Sequence, residues 1–255
     1  MPVFHGVGVP LVTLFDEGGE LLAKATADHA ARLVELGVRA VVVAGSTGEA
    51  ATLSADERVE LLDAVRAAVP PGGGVPVIAG TGAPSARQTA ELTAAAADHG
   101  ADALLVLSPP GADDPRPYYE TVAAAAGPVP VLAYHFPAMS APGIPVDTLA
   151  DLPVVGAKDS SGDPDRLLET LTAWEGELYP GSSALLSFAG PLGCPGVIVT
   201  LANVEPEQCA AAFAGDAAAQ LALAGAHRAS GVHLPVGIKD LTARRFGTPV
   251  AVRVG

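Results

Sequence analysis

The sequence predicts an α/β fold, a single (β/α)8 (TIM) barrel, and three observations carry that prediction. Short apolar, β-branched runs alternate without interruption with segments of helical period, eight strands each followed by a helix. The length, 255 residues, is close to the ~250 residues typical of such a barrel. The rival, a doubly wound open sheet, usually carries a glycine-rich dinucleotide turn. Gly6-Val7-Gly8 and Gly80-Thr81-Gly82 both lack the G-x-G-x-x-G spacing. No Pro/Gly/Ser linker is long enough to split the chain, so one domain is expected.

Each element has a local signal. Residues 7–15 read as the first strand, closed by the turn Asp16-Glu17-Gly18-Gly19, and helix 25–36 stops at Gly37. Strand 40–44 runs into Gly45-Ser46-Thr47-Gly48-Glu49. Ser54-Ala55-Asp56-Glu57 is a capping box that opens a helix to residue 69, and 70–74 is a loop. Strand 75–79 is followed by Gly80-Thr81-Gly82 and by helix 84–99, closed by Gly100. Strand 103–107 leads into Ser108-Pro109-Pro110-Gly111, and helix 117–126 stops at Gly127-Pro128. Strand 129–134 ends in His135-Phe136-Pro137, with a short helix at 145–152. A buried strand then ends at Lys158, followed by helix 164–174 with Asp163 as cap and Pro164 at its first position. Strand 177–179 precedes Pro180-Gly181-Ser182-Ser183 and helix 184–192. Strand 196–201 ends at Ala202-Asn203, and helix 206–213 follows.

Composition narrows the function. Asp+Glu number 28 against 14 Lys+Arg, a net charge of −14, which repels nucleic acid phosphates and anionic membranes. Aromatics are only 4%, too few for a base-stacking platform. Apolar runs fall well short of a membrane span, and no basic segment precedes an apolar one at the N-terminus, so a cytoplasmic protein is expected. Cys194 and Cys209 lack metal-ligand spacing and read as small buried side chains in a reducing compartment. No His/Asp/Glu/Cys cluster with ligand spacing is visible, so neither a metal nor another cofactor is expected.

The residue that stands out is Lys158, set among Val154, Val155 and Ala157 at the end of the sixth strand. A strand buried on both faces holds an ammonium group only where its tip opens into a cavity. A desolvated lysine gives up its proton more readily, and its lone pair then attacks carbonyls, so a Schiff-base lysine is one reading. A snorkelling lysine, or one paired with Asp159 or Asp163, is the other. In a barrel the chemistry collects where strands end. Ser46 and Thr47 after the second strand and Tyr134 at the end of the fifth would then share a mouth with Lys158.

Gly45-Ser46-Thr47-Gly48-Glu49, Tyr134-His135-Phe136-Pro137 and Gly156-Ala157-Lys158-Asp159-Ser160-Ser161-Gly162 resemble the dihydrodipicolinate synthase / N-acetylneuraminate lyase family. Val77-Ile78-Ala79-Gly80-Thr81-Gly82 and Ala202-Asn203-Val204 match its pattern too. The family consists of (β/α)8 class I aldolases that bind pyruvate or another 2-keto acid as a lysine imine, and the resemblance implies the following roles. Lys158 forms the imine, Tyr134 is the general acid/base, and Ser46 relays protons where the family usually has threonine. Thr47 holds the substrate carboxylate, and Gly45, which begins its loop, is a substrate-binding residue beside it. Val199 lines the pyruvate pocket, and His135, where asparagine is usual, contacts the aldehyde. A homo-oligomer, dimer or tetramer, is also implied.

The sequence departs from the synthase pattern in three places. Pro109-Pro110-Gly111 replaces a Pro-Tyr-Tyr run whose second tyrosine crosses a dimer interface, while Tyr118 and Tyr119 on the next helix read as packing residues. Ala138-Met139-Ser140 offers no arginine for a second carboxylate. The barrel is expected over 1–213, with 214–255 a shortened C-terminal helical extension of the same domain. The first two departures favour an aldolase/lyase for a 2-keto-3-deoxy sugar acid or similar 4-hydroxy-2-keto acid. The alternatives are 4-hydroxy-tetrahydrodipicolinate synthase or a family dehydratase, and a non-catalytic keto-acid-binding barrel.

Overall fold

The computed structural model describes residues 1–69 and 73–254; most of the loop expected at 70–74 lies outside the described residues. Eight parallel strands form one sheet: β1 (Gly6–Pro10), β2 (Ala40–Val43), β3 (Val77–Gly80), β4 (Ala103–Leu107), β5 (Val131–His135), β6 (Gly156–Asp159), β7 (Glu177–Pro180) and β8 (Gly196–Ile198). Each strand from β1 to β6 pairs with the next, and β1 also pairs with β8. β7 and β8 lie side by side at the remaining seam, so the sheet is a nearly closed barrel.

Helices α1 (Ala23–Glu35), α2 (Ala55–Ala68), α3 (Ala86–Asp98) and α4 (Arg116–Ala126) follow the first four strands. A 3-10 helix at Val146–Asp151 stands in the fifth crossover, where the short helix was expected. α5 (Pro164–Ala173), α6 (Leu186–Ala189) and α7 (Pro206–Phe213) follow β6, β7 and β8. α8 (Ala217–Ala222), α9 (Ala224–Ser230) and α10 (Val236–Phe246) continue the chain, and α9 and α10 pack back on the turn after β8. None of the described helices is long and apolar enough to cross a membrane.

The starts of these elements follow from their caps. Ser54 and Glu57 form the reciprocal capping box: the Glu57 N–H donates to Ser54 Oγ at 3.1 Å, and the Ser54 N–H to Glu57 Oε2 at 2.8 Å. Asp163 accepts from the N–H groups of Asp165 and Arg166 with Pro164 at the first helical position. Three predicted ends were too long. The first strand leaves the ladder after Pro10, because the Val12 N–H donates to the Asn203 side chain at 3.0 Å, and Asn203 Nδ2 returns a bond to Pro10 O at 2.8 Å. The last strand stops at Ile198 because the chain winds into a 3-10 turn over Thr200–Asn203. The helix expected at 184–192 shrinks to one 3-10 turn and α6, with Gly190-Pro191 breaking it.

Both faces of the strands are buried, as continuous apolar runs imply. The outer face, with Val41, Val77, Leu104, Ala133 and Val197, packs on the helices. The inner face, with Val42, Ile78, Leu105, Leu132 and Ile198, fills the lumen. Phe4, ahead of β1, plugs the N-terminal end and stacks on Tyr179 with ring centroids 4.6 Å apart. Glycine is required around that plug: a Cβ on Gly8 or Gly196 would lie 2.9 or 2.8 Å from the Phe4 ring. The Tyr179 hydroxyl donates to Glu177 Oε2 at 2.8 Å, which seals the floor with a satisfied polar pair.

Candidate active site

The register decides what faces the lumen above that floor. Tyr134 pairs with Lys158, and Lys158 pairs with Tyr179. Paired residues on neighbouring parallel strands point to the same side, so all three side chains enter the barrel. Lys158 and Tyr134 are 4% and 5% exposed, and Lys158 Nζ sits 4.2 Å from the Tyr134 ring centroid. Neither aspartate nearby takes the amine. Asp159 points the other way and bonds Arg166 Nε at 2.6 Å and the Ser161 N–H at 2.8 Å, while Asp163 caps α5. An amine held against an aromatic face, without a carboxylate partner among the described residues, is placed to attack a carbonyl carbon delivered from the mouth.

Thr47 and Ser46 form the opposite rim. Gly45 opens a single 3-10 turn over Ser46–Gly48, closed by the Gly48 N–H to Gly45 O bond at 3.0 Å. Ser46 and Thr47 supply the leading N–H groups of that turn, the ones a 3-10 turn leaves without an internal partner. The buried Thr47 hydroxyl lies 3.1 Å from that of Thr200, which follows β8. Thr13 fixes the turn from below by donating to Gly48 O at 2.7 Å. Glu49 ends it in the left-handed region, φ 56°, a cost of order 1–3 kcal/mol that persists only where the surroundings over-determine it. Those surroundings are explicit: the fully buried Glu49 carboxylate accepts from Lys239 Nζ at 2.5 Å and from the N–H groups of Arg253 and Val254 at 2.7 and 3.0 Å. The segment after α10 thus straps the rim.

Two residues singled out in the sequence lie elsewhere. Val199 is extended, φ −124° and ψ 135°, so it alternates with Ile198; it packs in the outer layer, while Ile198 takes the lumen position. His135 follows Tyr134 and therefore turns out of the lumen. Its Nδ1 accepts from the Ile144 N–H at 2.8 Å, and burial, followed by the Arg166 charge, lowers its pKa. Its ring anchors the loop that carries Ile144 and faces away from the lumen. Phe136, on the lumen phase of the strand, stacks on Tyr134 with centroids 5.9 Å apart. Thr200, Ile198 and Phe136 were legible only through the phase of the alternation, which the register sets.

Tyr118 and Tyr119 pack structurally. The Tyr119 hydroxyl donates to Val106 O at 2.8 Å, and the Tyr134 N–H donates back to it at 3.4 Å, so Tyr119 stiffens the strand that carries Tyr134. Burial pushes the Cys194 and Cys209 thiols up to about 11 and 12, which keeps both inert.

Known proteins resemble this chain in sequence and fold. Residues 3–251 match the Dihydrodipicolinate synthetase family. An uncharacterized DapA-like lyase of Halobacterium salinarum is 40% identical over 212 residues, 80% of this chain and 69% of its own. The 4-hydroxy-tetrahydrodipicolinate synthase of Natronomonas pharaonis is 38% identical over 219 residues, 82% of this chain and 73% of its own. The crystal structure of a dihydrodipicolinate synthase from Bacillus anthracis superposes with a TM-score of 0.89 at 27% identity, covering 100% of this chain and 92% of that one. The chain belongs to the dihydrodipicolinate synthetase family and is a carbon–carbon lyase of the class I aldolase kind.

Proposed function

We propose that the enzyme forms and cleaves a 4-hydroxy-2-keto acid through a pyruvate imine on Lys158. The observation that carries this reading is the Lys158–Tyr134 pair, an amine 4.2 Å from a ring centroid in a lumen whose far end is sealed. Lys158 attacks the keto carbon, and water leaves as the imine forms. The leading N–H groups of the Ser46–Gly48 turn and the Thr47 hydroxyl hold the carboxylate, which needs fixed donors in a chain of net charge −14. Tyr134 moves protons during imine formation and takes the C4 hydroxyl proton as the C3–C4 bond breaks. Ser46, at the rim, relays that proton outward. Borohydride added with pyruvate should place a reduced pyruvyl group on Lys158; labelling at Lys24 or Lys239 instead would sink the assignment.

The second reading is 4-hydroxy-tetrahydrodipicolinate synthase, favoured by relatives of that name at 37–38% identity. Against it stand Gly111, where the synthase pattern has a tyrosine, and Ala138-Met139-Ser140, which offers no arginine for a second carboxylate. A homo-oligomer is part of the proposal, supported by exposed Phe188, Leu192 and Leu221 on and beside the packed pair α6 and α8. Sedimentation as a monomer would remove that part.

A further inference from the structure

Resting on the Schiff-base reading, we infer that the aldehyde partner is apolar: an aryl or branched-alkyl aldehyde, not a carboxylated or polyhydroxylated one. A cavity of about 900 Å³ opens beside the mouth. It adjoins the reactive pair through Phe136, stacked on Tyr134, through Leu107, the ladder partner of Tyr134, and through Ser46. From there its wall continues over Pro110, Met139 and Leu234. Met139 and Leu234 are 53% and 39% exposed, a contiguous apolar wall of the kind that marks a binding site.

The charged groups in the described wall are already engaged. Glu49 holds Lys239 and two backbone N–H groups, and Glu91 pairs with Arg87. The Arg58 guanidinium donates to the carbonyls of Gly80 at 3.1 Å and Ala50 at 2.6 Å. A carboxylated aldehyde would meet two acidic residues here, in a chain of net charge −14. A polyhydroxylated aldehyde would exchange water for a wall that is mostly hydrocarbon: the Ser140 hydroxyl is itself donated to Ser108 O, which leaves Ser46, Gln88 and the buried Ser108 hydroxyl as its polar side chains. An aryl or branched-alkyl group gains by burial on the same wall. In the cleavage direction the C4 hydroxyl proton passes to the Tyr134 oxygen, the C3–C4 electron pair moves into the imine to give the enamine, and the neutral aldehyde is left against Phe136. Protonation of the enamine at C3 and hydrolysis return pyruvate and the free amine.

The test offers the full chain pyruvate with benzaldehyde, isobutyraldehyde, glyceraldehyde or succinic semialdehyde, and follows loss of pyruvate. Borohydride trapping with pyruvate alone separates the two layers of the argument. No adduct on Lys158 overturns the Schiff-base reading and this inference with it; an adduct leaves the panel to judge the aldehyde. The expected result is a kcat/KM for benzaldehyde or isobutyraldehyde roughly tenfold or more above the other two. An equal or better rate with glyceraldehyde or succinic semialdehyde, or no turnover of any aldehyde, overturns the inference while the imine stands. Met139→Asp should lower kcat/KM for benzaldehyde roughly tenfold, carried by KM; an unchanged value removes the cavity from the proposal. Leu234→Ser serves the same purpose should the first variant fail to fold.

Discussion

Lys158 Nζ lies over the face of Tyr134, not beside its hydroxyl. The ring therefore packs under the amine, which leaves the phenol oxygen available for the proton transfers of the proposed reaction. Lys158→Arg and Lys158→Ala should both abolish borohydride trapping, because a guanidinium is no nucleophile. Tyr134→Phe keeps the ring under the amine and removes the oxygen alone. Its kcat should fall by about 10²–10⁴ with near-native stability, imine formation should slow, and pyruvate affinity should change modestly. Wild-type turnover by Tyr134→Phe would strip the phenol of its acid–base role. Ser46→Ala should lose less in the same direction, since water can take the place of a rim hydroxyl.

Ile198 and Val199 divide what one residue was expected to do. Ile198→Ala should raise KM for pyruvate, since its side chain fills the lumen. Val199→Ala should lower stability by about 0.5–2 kcal/mol with catalysis unchanged, since it packs outside. Steady-state kinetics beside thermal melts separate the two; a KM effect confined to Val199→Ala would reverse the assignment.

His29 on α1 is buried against Phe246 of α10, with both ring nitrogens unpartnered among the described groups. Burial, aided by Arg32, lowers its pKa from 6.5 to about 4. The unfolded chain takes up the proton below about 6.5 and the folded chain only near 4, so stability is full above that window and falls as pH drops through it. The whole loss is roughly 3 kcal/mol. His29→Leu should flatten this slope between pH 7 and pH 4, as read by urea denaturation; an unchanged slope would assign the acid sensitivity to other groups.

Glu49 and Lys239 are both fully buried and paired. Glu49→Gln leaves an uncompensated ammonium and should cost about 3–5 kcal/mol, whereas Glu49→Gln with Lys239→Met should cost less than the single change. Because Glu49 ends the turn that carries Thr47, the double variant should also show a raised KM for pyruvate. A double variant less stable than Glu49→Gln alone would contradict the pairing.

Activity should survive EDTA, because a protonated imine on Lys158 is itself the electron sink that a Lewis acid would otherwise supply. Loss of activity restored by zinc or magnesium would point to a metal-dependent aldol mechanism.

Much of this could be read before any coordinates. The alternation of apolar runs and capped helices specified the barrel, and Ser54, Asp163 and Gly127 marked element ends through chemistry that acts within a few residues. Lys158 was conspicuous because an ammonium in an apolar strand needs a reason. What escaped depended on long-range geometry. Val199 and His135 were each one residue out of phase with the lumen, and a period of two gives no clue to phase until neighbouring strands fix it. Thr200 and Thr47 are 153 residues apart, and Glu49 and Lys239 are 190 apart, so no local pattern links them. The Phe4 plug was invisible because a lone phenylalanine before a strand carries no signal of its own.

The stacked rings of Phe4 and Tyr179 have a kinetic consequence. With its floor filled, the barrel is a well closed at the N-terminal ends of its strands. On the proposed chemistry, a keto acid held on Lys158 would lie beneath an aldehyde seated against Phe136. What arrives last must leave first. In cleavage the aldehyde departs before water can reach the imine carbon, and in synthesis pyruvate must be seated before the aldehyde binds productively. High aldehyde concentrations should then block the entry of pyruvate, so the proposed chemistry predicts an ordered sequence with substrate inhibition by the upper partner.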